Sequence, residues 1–236
     1  MDLKSFPGRE EDRYVLDVQN PEIVFTQGYN ATPVFYNDID NFMLCSFTCS
    51  EDLISLYNCF DDQEVKDLRL NAFFEAREDE QYKVAKVVEK VYDCFVIRSA
   101  ELYLNKAEAE AMLDKAEAKQ TIKTLLNNRF EGGIPDVDGL NEKDLISFIR
   151  DERRRELCFE AHRWFDLRRY AVSSKYPEKK SIRHETYDKN GVLEGDYVLK
   201  PYGEDPAWVL PIPGYEIVYN QGNLVDNPQR VERKLE

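Results

Sequence analysis

The spacing of apolar positions changes character along this 236-residue chain. Between residues 98 and 130, Ala100, Leu104, Ala107 and Ala111 recur at intervals of four, three and four, with Tyr103 beside them. That is the period of one helix face. A break over residues 113–117 precedes a second stripe, Ile122, Leu125 and Leu126, within residues 118–129. The pattern predicts two antiparallel helices, and the small residues of the first admit the second closely, as in a tetratricopeptide-type hairpin. One such hairpin cannot bury its own apolar face, and no second copy recurs at that period, so its neighbours must come from elsewhere. The turn-rich connector 131–141 then leads to Asn141 as N-cap of a further helix, with Asp144 in its first turn. Leu145, Phe148 and Ile149 begin its apolar stripe. Steps of four from Phe148 and Ile149 reach Glu152 and Arg153, then Glu156 and Leu157, so the apolar face turns ionic.

Outside this region the periodicity is weaker. Residues 1–97 read as mixed and loop-rich, with a short strand at 22–26, a short helix at 52–57 and extended pieces over the Val- and aromatic-rich 82–97. Residues 28–43 set Tyr29, Phe35, Tyr36 and Phe42 among Asn, Asp, Thr and Pro, a mixture that opposes regular structure. From about residue 172 onward come a predicted hairpin around Asn190 and Gly191, a Pro-bounded segment at 207–213 and a loop-rich tail. The fold class expected is mostly α, with irregular loops and short β segments.

Residues 151–170 (DERRRELCFEAHRWFDLRRY) combine charge and bulk at helical spacing. Glu152, Glu156 and Glu160 recur every four residues, and Arg153, Arg163 and Arg168 lie among them with Asp166. Leu157, Phe159, Trp164, Phe165 and Leu167 occupy the same few turns. Residues four apart on a helix are neighbours, and the planar guanidinium suits carboxylates bidentately. A structural ion-pair network is therefore expected from Glu152, Arg153, Glu156, Glu160, Arg163, Asp166 and Arg168. Carboxylates four apart can also serve as acid and base, but an excess of arginine lowers their proton affinity, which favours pairing over general-acid work.

Composition narrows the function. With 42% apolar and 12% aromatic residues, the chain is a folding sequence long enough for one sizeable or two small cores. A net charge of −14 disfavours nucleic acid as a partner, and no basic amphipathic stretch favours an anionic lipid surface. No run approaches the roughly 20 apolar residues that span a bilayer. The first residues lack the pattern of a secretory signal, which predicts either a cytoplasmic protein or a chain that begins downstream of its targeting segment. Five cysteines argue against a complete disulfide framework. Cys45, Cys49 and Cys59 cluster, but lack the paired spacings and histidines of a zinc site, so neither metal nor cofactor is expected. Ordinary thiols, most of them buried, are the leading reading, with one bridge inside that cluster as the alternative.

Four blocks resemble the SusD/RagB family, surface lipoproteins of Bacteroidetes that bind glycans or other nutrients. They are residues 98–109 (RSAELYLNKAEA), residues 149–170, residues 207–213 with Glu216, and Asn220 through Asn227 and Pro228. A weaker match lies at 61–69 (DDQEVKDLR), similar to the family's acidic stretch before its Asp-x-Arg. The chain departs from the family where Asp226 precedes Asn227 in the closing motif and where Ala161 replaces the usual glycine after the glutamate of the long block. Family members run to about twice this length. The resemblance thus implies that residues 1–236 form a single C-terminal-type domain of a SusD-like α fold whose N-terminal half, signal and lipid anchor lie outside this chain. It also implies non-catalytic nutrient binding, an oligosaccharide foremost, at the outer-membrane surface, and delivery to a SusC-like TonB-dependent transporter.

Two kinds of binding residue remain to be placed. Sugars present apolar CH faces ringed by hydroxyls, which aromatic platforms with nearby amides and carboxylates recognise. Tyr29, Asn30, Tyr36, Asn37 and Asp38 supply those types on an irregular loop, although the same aromatics tucked onto a core would account for them equally. Trp164, Trp208 and the lone His162 are read as packing residues. A helical-repeat module that binds protein, or a peptide as the nutrient, is the second reading.

Overall fold

Residues 1–6, 15–16, 20–27, 49–60, 65–76, 82–86, 95–188, 190 and 192–227 are described by the computed structural model. The chain folds as two units, Met1–Arg163 and Trp164–Glu236. In the first lie strand β1 (Ile23–Gln27), helix α1 (Glu51–Asn58), β2 (Lys66–Asp67), α2 (Arg69–Phe73), β3 (Phe74–Ala76), β4 (Tyr82–Val84) and β5 (Phe95–Arg98). There follow α3 (Ser99–Met112), α4 (Glu117–Leu126), β6 (Phe130–Glu131) and α5 (Glu142–Glu156). Helix α6 (Arg163–Ala171) opens the second unit, ahead of β7 (Ile182–Tyr187), β8 (Leu193–Leu199) and α7 (Gly214–Tyr219). The strands form antiparallel pairs, β1 with β5, β2 with β6, β3 with β4 and β7 with β8.

Two apolar clusters hold the first unit. In one, the stripe Ala100, Leu104, Ala107 and Ala111 of α3 meets Ala118, Ile122, Leu125 and Leu126 of α4 and Leu145, Ile146 and Ile149 of α5. Alanines on α3 let the helices close on one another, while each buried Leu or Ile contributes about 1.5–3 kcal/mol. The other cluster gathers Leu3, Leu53, Ile54, Tyr57, Phe73, Phe74 and Cys158. There the Phe74 ring meets Tyr57 edge-on at 5.3 Å and Phe159 at 6.2 Å.

Helix α5 starts where its sequence says it should, since the Asn141 side chain accepts the Asp144 N–H at 3.0 Å, a cap worth about 1 kcal/mol. Its end departs from expectation. Residues 151–170 are not one helix: α5 stops at Glu156, and α6 begins at Arg163. Phe159 and Ala161 between them take φ of 61° and 63°, a left-handed conformation that no α-helix can incorporate. Glu160 is thus delivered by a turn and not by helical spacing.

The second unit is smaller. Its β7–β8 hairpin closes as predicted, with the Asp188 carboxylate accepting the backbone N–H of Asn190 and of Val192, both at 2.8 Å. Trp208 is almost wholly buried, donates through Nε1 to the Lys200 carbonyl at 2.7 Å and stacks on Trp164 with centroids 4.4 Å apart. Among the described residues, no helix is long and apolar enough to cross a membrane.

Candidate functional site

Among the described residues, the densest chemistry is a buried ionic centre in the first unit. Glu152 and Glu156 sit one turn apart on α5, both fully buried. Glu156 takes three guanidiniums: Arg129 at 2.9 Å on each carboxylate oxygen, Arg69 at 3.1 Å, and Arg98. Glu152 pairs with Arg69 at 3.1 Å and with Arg155 at 2.9 Å. From the turn, Glu160 accepts from Arg98 at 2.8 and 2.7 Å and from Lys86. Asp67 clamps Arg69 bidentately at 2.9 and 2.7 Å, and Glu22 joins Arg129 at 2.8 Å to Arg98 at 3.1 Å. Five carboxylates (Glu22, Asp67, Glu152, Glu156, Glu160) thus face five cationic side chains (Arg69, Lys86, Arg98, Arg129, Arg155) among the described residues, and the Met1 ammonium also pairs with Glu22.

Local structure aims these groups. Arg98 ends β5, opposite Ile23 on β1, so the ribbon that brings Glu22 inward brings Arg98 with it. Arg69 opens α2 directly after β2, whose partner β6 starts one residue beyond Arg129. Aromatic faces complete the cations' surroundings. Arg69 lies 5.3 Å from the Phe130 centroid, Arg155 5.0 Å from Phe60 and Lys86 4.2 Å from Phe73, and such contacts gain when desolvated. Phe60 and Phe130 belong to one apolar cluster and Phe73 to the other, so the charged layer joins the two.

Electrostatics bear on what this centre can do. Burial alone would raise the pKa of Glu156, but Arg129, Arg98 and Arg69 outweigh it and hold the carboxyl well below its usual range. Burial opposes ionisation of Glu152, Glu160 and Glu22 too; Arg69, Arg98 and Arg129 respectively lead the groups that bring their pKa values down. A general acid needs a raised pKa and access to its substrate. These carboxylates have neither, and the arrangement works as a brace between distant segments.

The remaining expected network residues are dispersed. Arg153 leaves the centre, donating to Asn105 Oδ1 at 2.7 Å and lying 3.4 Å from His162 Nδ1 and 3.7 Å from Glu101. In the second unit Asp166 accepts from Arg169 at 2.9 Å, and Arg168 lies 5.2 Å from the Tyr202 ring centroid. Arg163 is the first residue of α6. Tyr29, Asn30, Tyr36, Asn37 and Asp38 lie outside the described residues, as do Cys45 and Cys94. Reading α5 alone missed Arg69, Lys86, Arg98, Arg129 and Glu22, although the Asp67-x-Arg69 spacing and the block opening at Arg98 were visible signals.

Cys49, Cys59 and Cys158 are free thiols. Burial, with Cys158 nearby, pushes Cys49 up to about 12, and burial also raises Cys158 and Cys59. None is a ready thiolate nucleophile at neutral pH. No group of three or more His, Cys, Asp or Glu among the described residues could hold a metal ion.

About half the length of each of two solved SusD-like structures shares the fold of this chain. A SusD superfamily protein from Bacteroides thetaiotaomicron shares it with a TM-score of 0.64 at 20% identity, over 97% of this chain and 52% of that one. A SusD-like carbohydrate binding protein from Bacteroides vulgatus does so at 0.53 and 19%, over 91% and 51%. The SusD family model matches residues 77–229, and the chain belongs to that family. SusD-like protein P2 of Formosa agariphila is 28% identical over 142 residues, 56% of this chain and 25% of the relative. SusD-like protein P38 of the same organism is 40% identical over 79 residues, 30% and 16% respectively. The chain therefore spans about half the length of the solved structures and matches a quarter or less of these two relatives.

Proposed function

We propose that the protein is a non-catalytic nutrient-binding component of the outer-membrane surface, lipid-anchored in its full-length form. It takes up an oligosaccharide and passes it to a SusC-like TonB-dependent transporter. Membership of the SusD family carries this reading, and one protein of the same fold is described as carbohydrate binding. The buried side-chain carboxylates of Glu152, Glu156 and Glu160, each paired by arginine or lysine, support a binding role over hydrolysis. The ligand residues proposed are Tyr29, Asn30, Tyr36, Asn37 and Asp38.

Calorimetric titration of the full-length protein against a panel of oligosaccharides tests the reading. Binding to at least one is expected, weakened by about fivefold or more in Tyr29→Ala and Tyr36→Ala, in line with about 1–3 kcal/mol for a lost aromatic platform. Silence across the panel, with binding to peptides instead, would replace the sugar with a peptide. The outward Leu102, Tyr103 and Leu113 of α3 and its following turn, 52%, 41% and 68% exposed, favour the protein-interaction module as second reading. If their substitution by serine abolishes binding of every nutrient while Tyr29→Ala and Tyr36→Ala do not, that reading takes precedence.

A further inference from the structure

We draw no further inference here: the strongest candidate, the thiol pair of Cys49 and Cys158 in the apolar cluster around Phe74, rests on the raised pKa of Cys49 alone, since both are free thiols and Cys158 already meets the Tyr57 hydroxyl at 3.4 Å.

Discussion

Helices α5 and α7 break the amphipathic rule in opposite directions. Helix α5 buries Glu152, Arg153, Arg155 and Glu156 along with its leucine and isoleucines, whereas α7 buries nothing and exposes two tyrosines and a valine. Charge goes inside in one unit because opposite charge is waiting there, brought from residues as distant in sequence as Arg69 and Arg98. Apolar surface stays outside in the other because residues 210–227 hold themselves together by hydrogen bonds at the base of the loop. Burial is therefore decided by available partners as much as by the polarity of the helix itself.

The largest effect should come from removing the hub of that ionic centre. Glu156→Ala leaves Arg129, Arg98 and Arg69 facing one another without their shared carboxylate, and uncompensated buried charge of this kind costs about 3–5 kcal/mol. Urea unfolding should show it as a lower midpoint with little change in slope. Serine at Tyr219, a polar change at an 84% exposed position, should shift stability by about 0.5 kcal/mol or less. Equal losses from the two substitutions would end the contrast.

Acid should act on the same centre. Glu22, Glu152, Glu156 and Glu160 all have folded-state values below the ordinary 4.5. A depressed carboxyl pKa gives stability that is present above the unfolded value and lost as pH falls through the folded one. The urea midpoint should therefore stay level above about pH 5 and decline below about pH 4.5, with a shallower decline in Glu156→Gln. A midpoint unchanged down to about pH 3 would mean that these carboxylates are not held ionised by the fold.

Much of this contrast was legible in the chain, for reasons that differ by residue. The stripes of α3 and α4 and the Asn141 cap of α5 follow local rules of period and hydrogen bonding, and the structure shows them. Conversion of the α5 face from apolar to ionic was visible at Glu152 and Glu156. Apart from Arg155, three residues from Glu152, their cationic partners were not, because pairing across 27 to 87 residues is fixed by the fold and not by spacing. The break at 157–161 leaves no local signal either: Glu160 continues the four-residue interval, although Phe159, whose ring meets Phe74 at 6.2 Å, takes a left-handed φ. The tyrosines of α7 read as tail residues, since no local rule says that an aromatic stripe will stay uncovered.

The smallest effect sharpens the comparison most finely, because it concerns how each helix ends. After α7 the chain turns through Gln221 at φ 52° and Gly222 at φ 82°, the latter with open space where a Cβ would stand. After α5 it turns through Ala161 at φ 63°. A left-handed L-residue costs roughly 1–2 kcal/mol, and part of any gain from glycine is returned because the unfolded chain becomes more flexible, by about 0.4–1 kcal/mol. Ala161 is exposed, so removing its methyl group forfeits no packing. Ala161→Gly should therefore stabilise the protein by up to about 1 kcal/mol and raise its melting temperature by about 1–4 °C. A lower melting temperature would show that the turn carries no strain at this residue. The same replacement at Phe159 should fail despite its equally unusual φ of 61°, because its ring packs against Phe74 at 6.2 Å and that contact would be lost. If Ala161→Gly stabilises while Phe159→Gly destabilises, the ionic centre holds a backbone under strain to deliver Glu160.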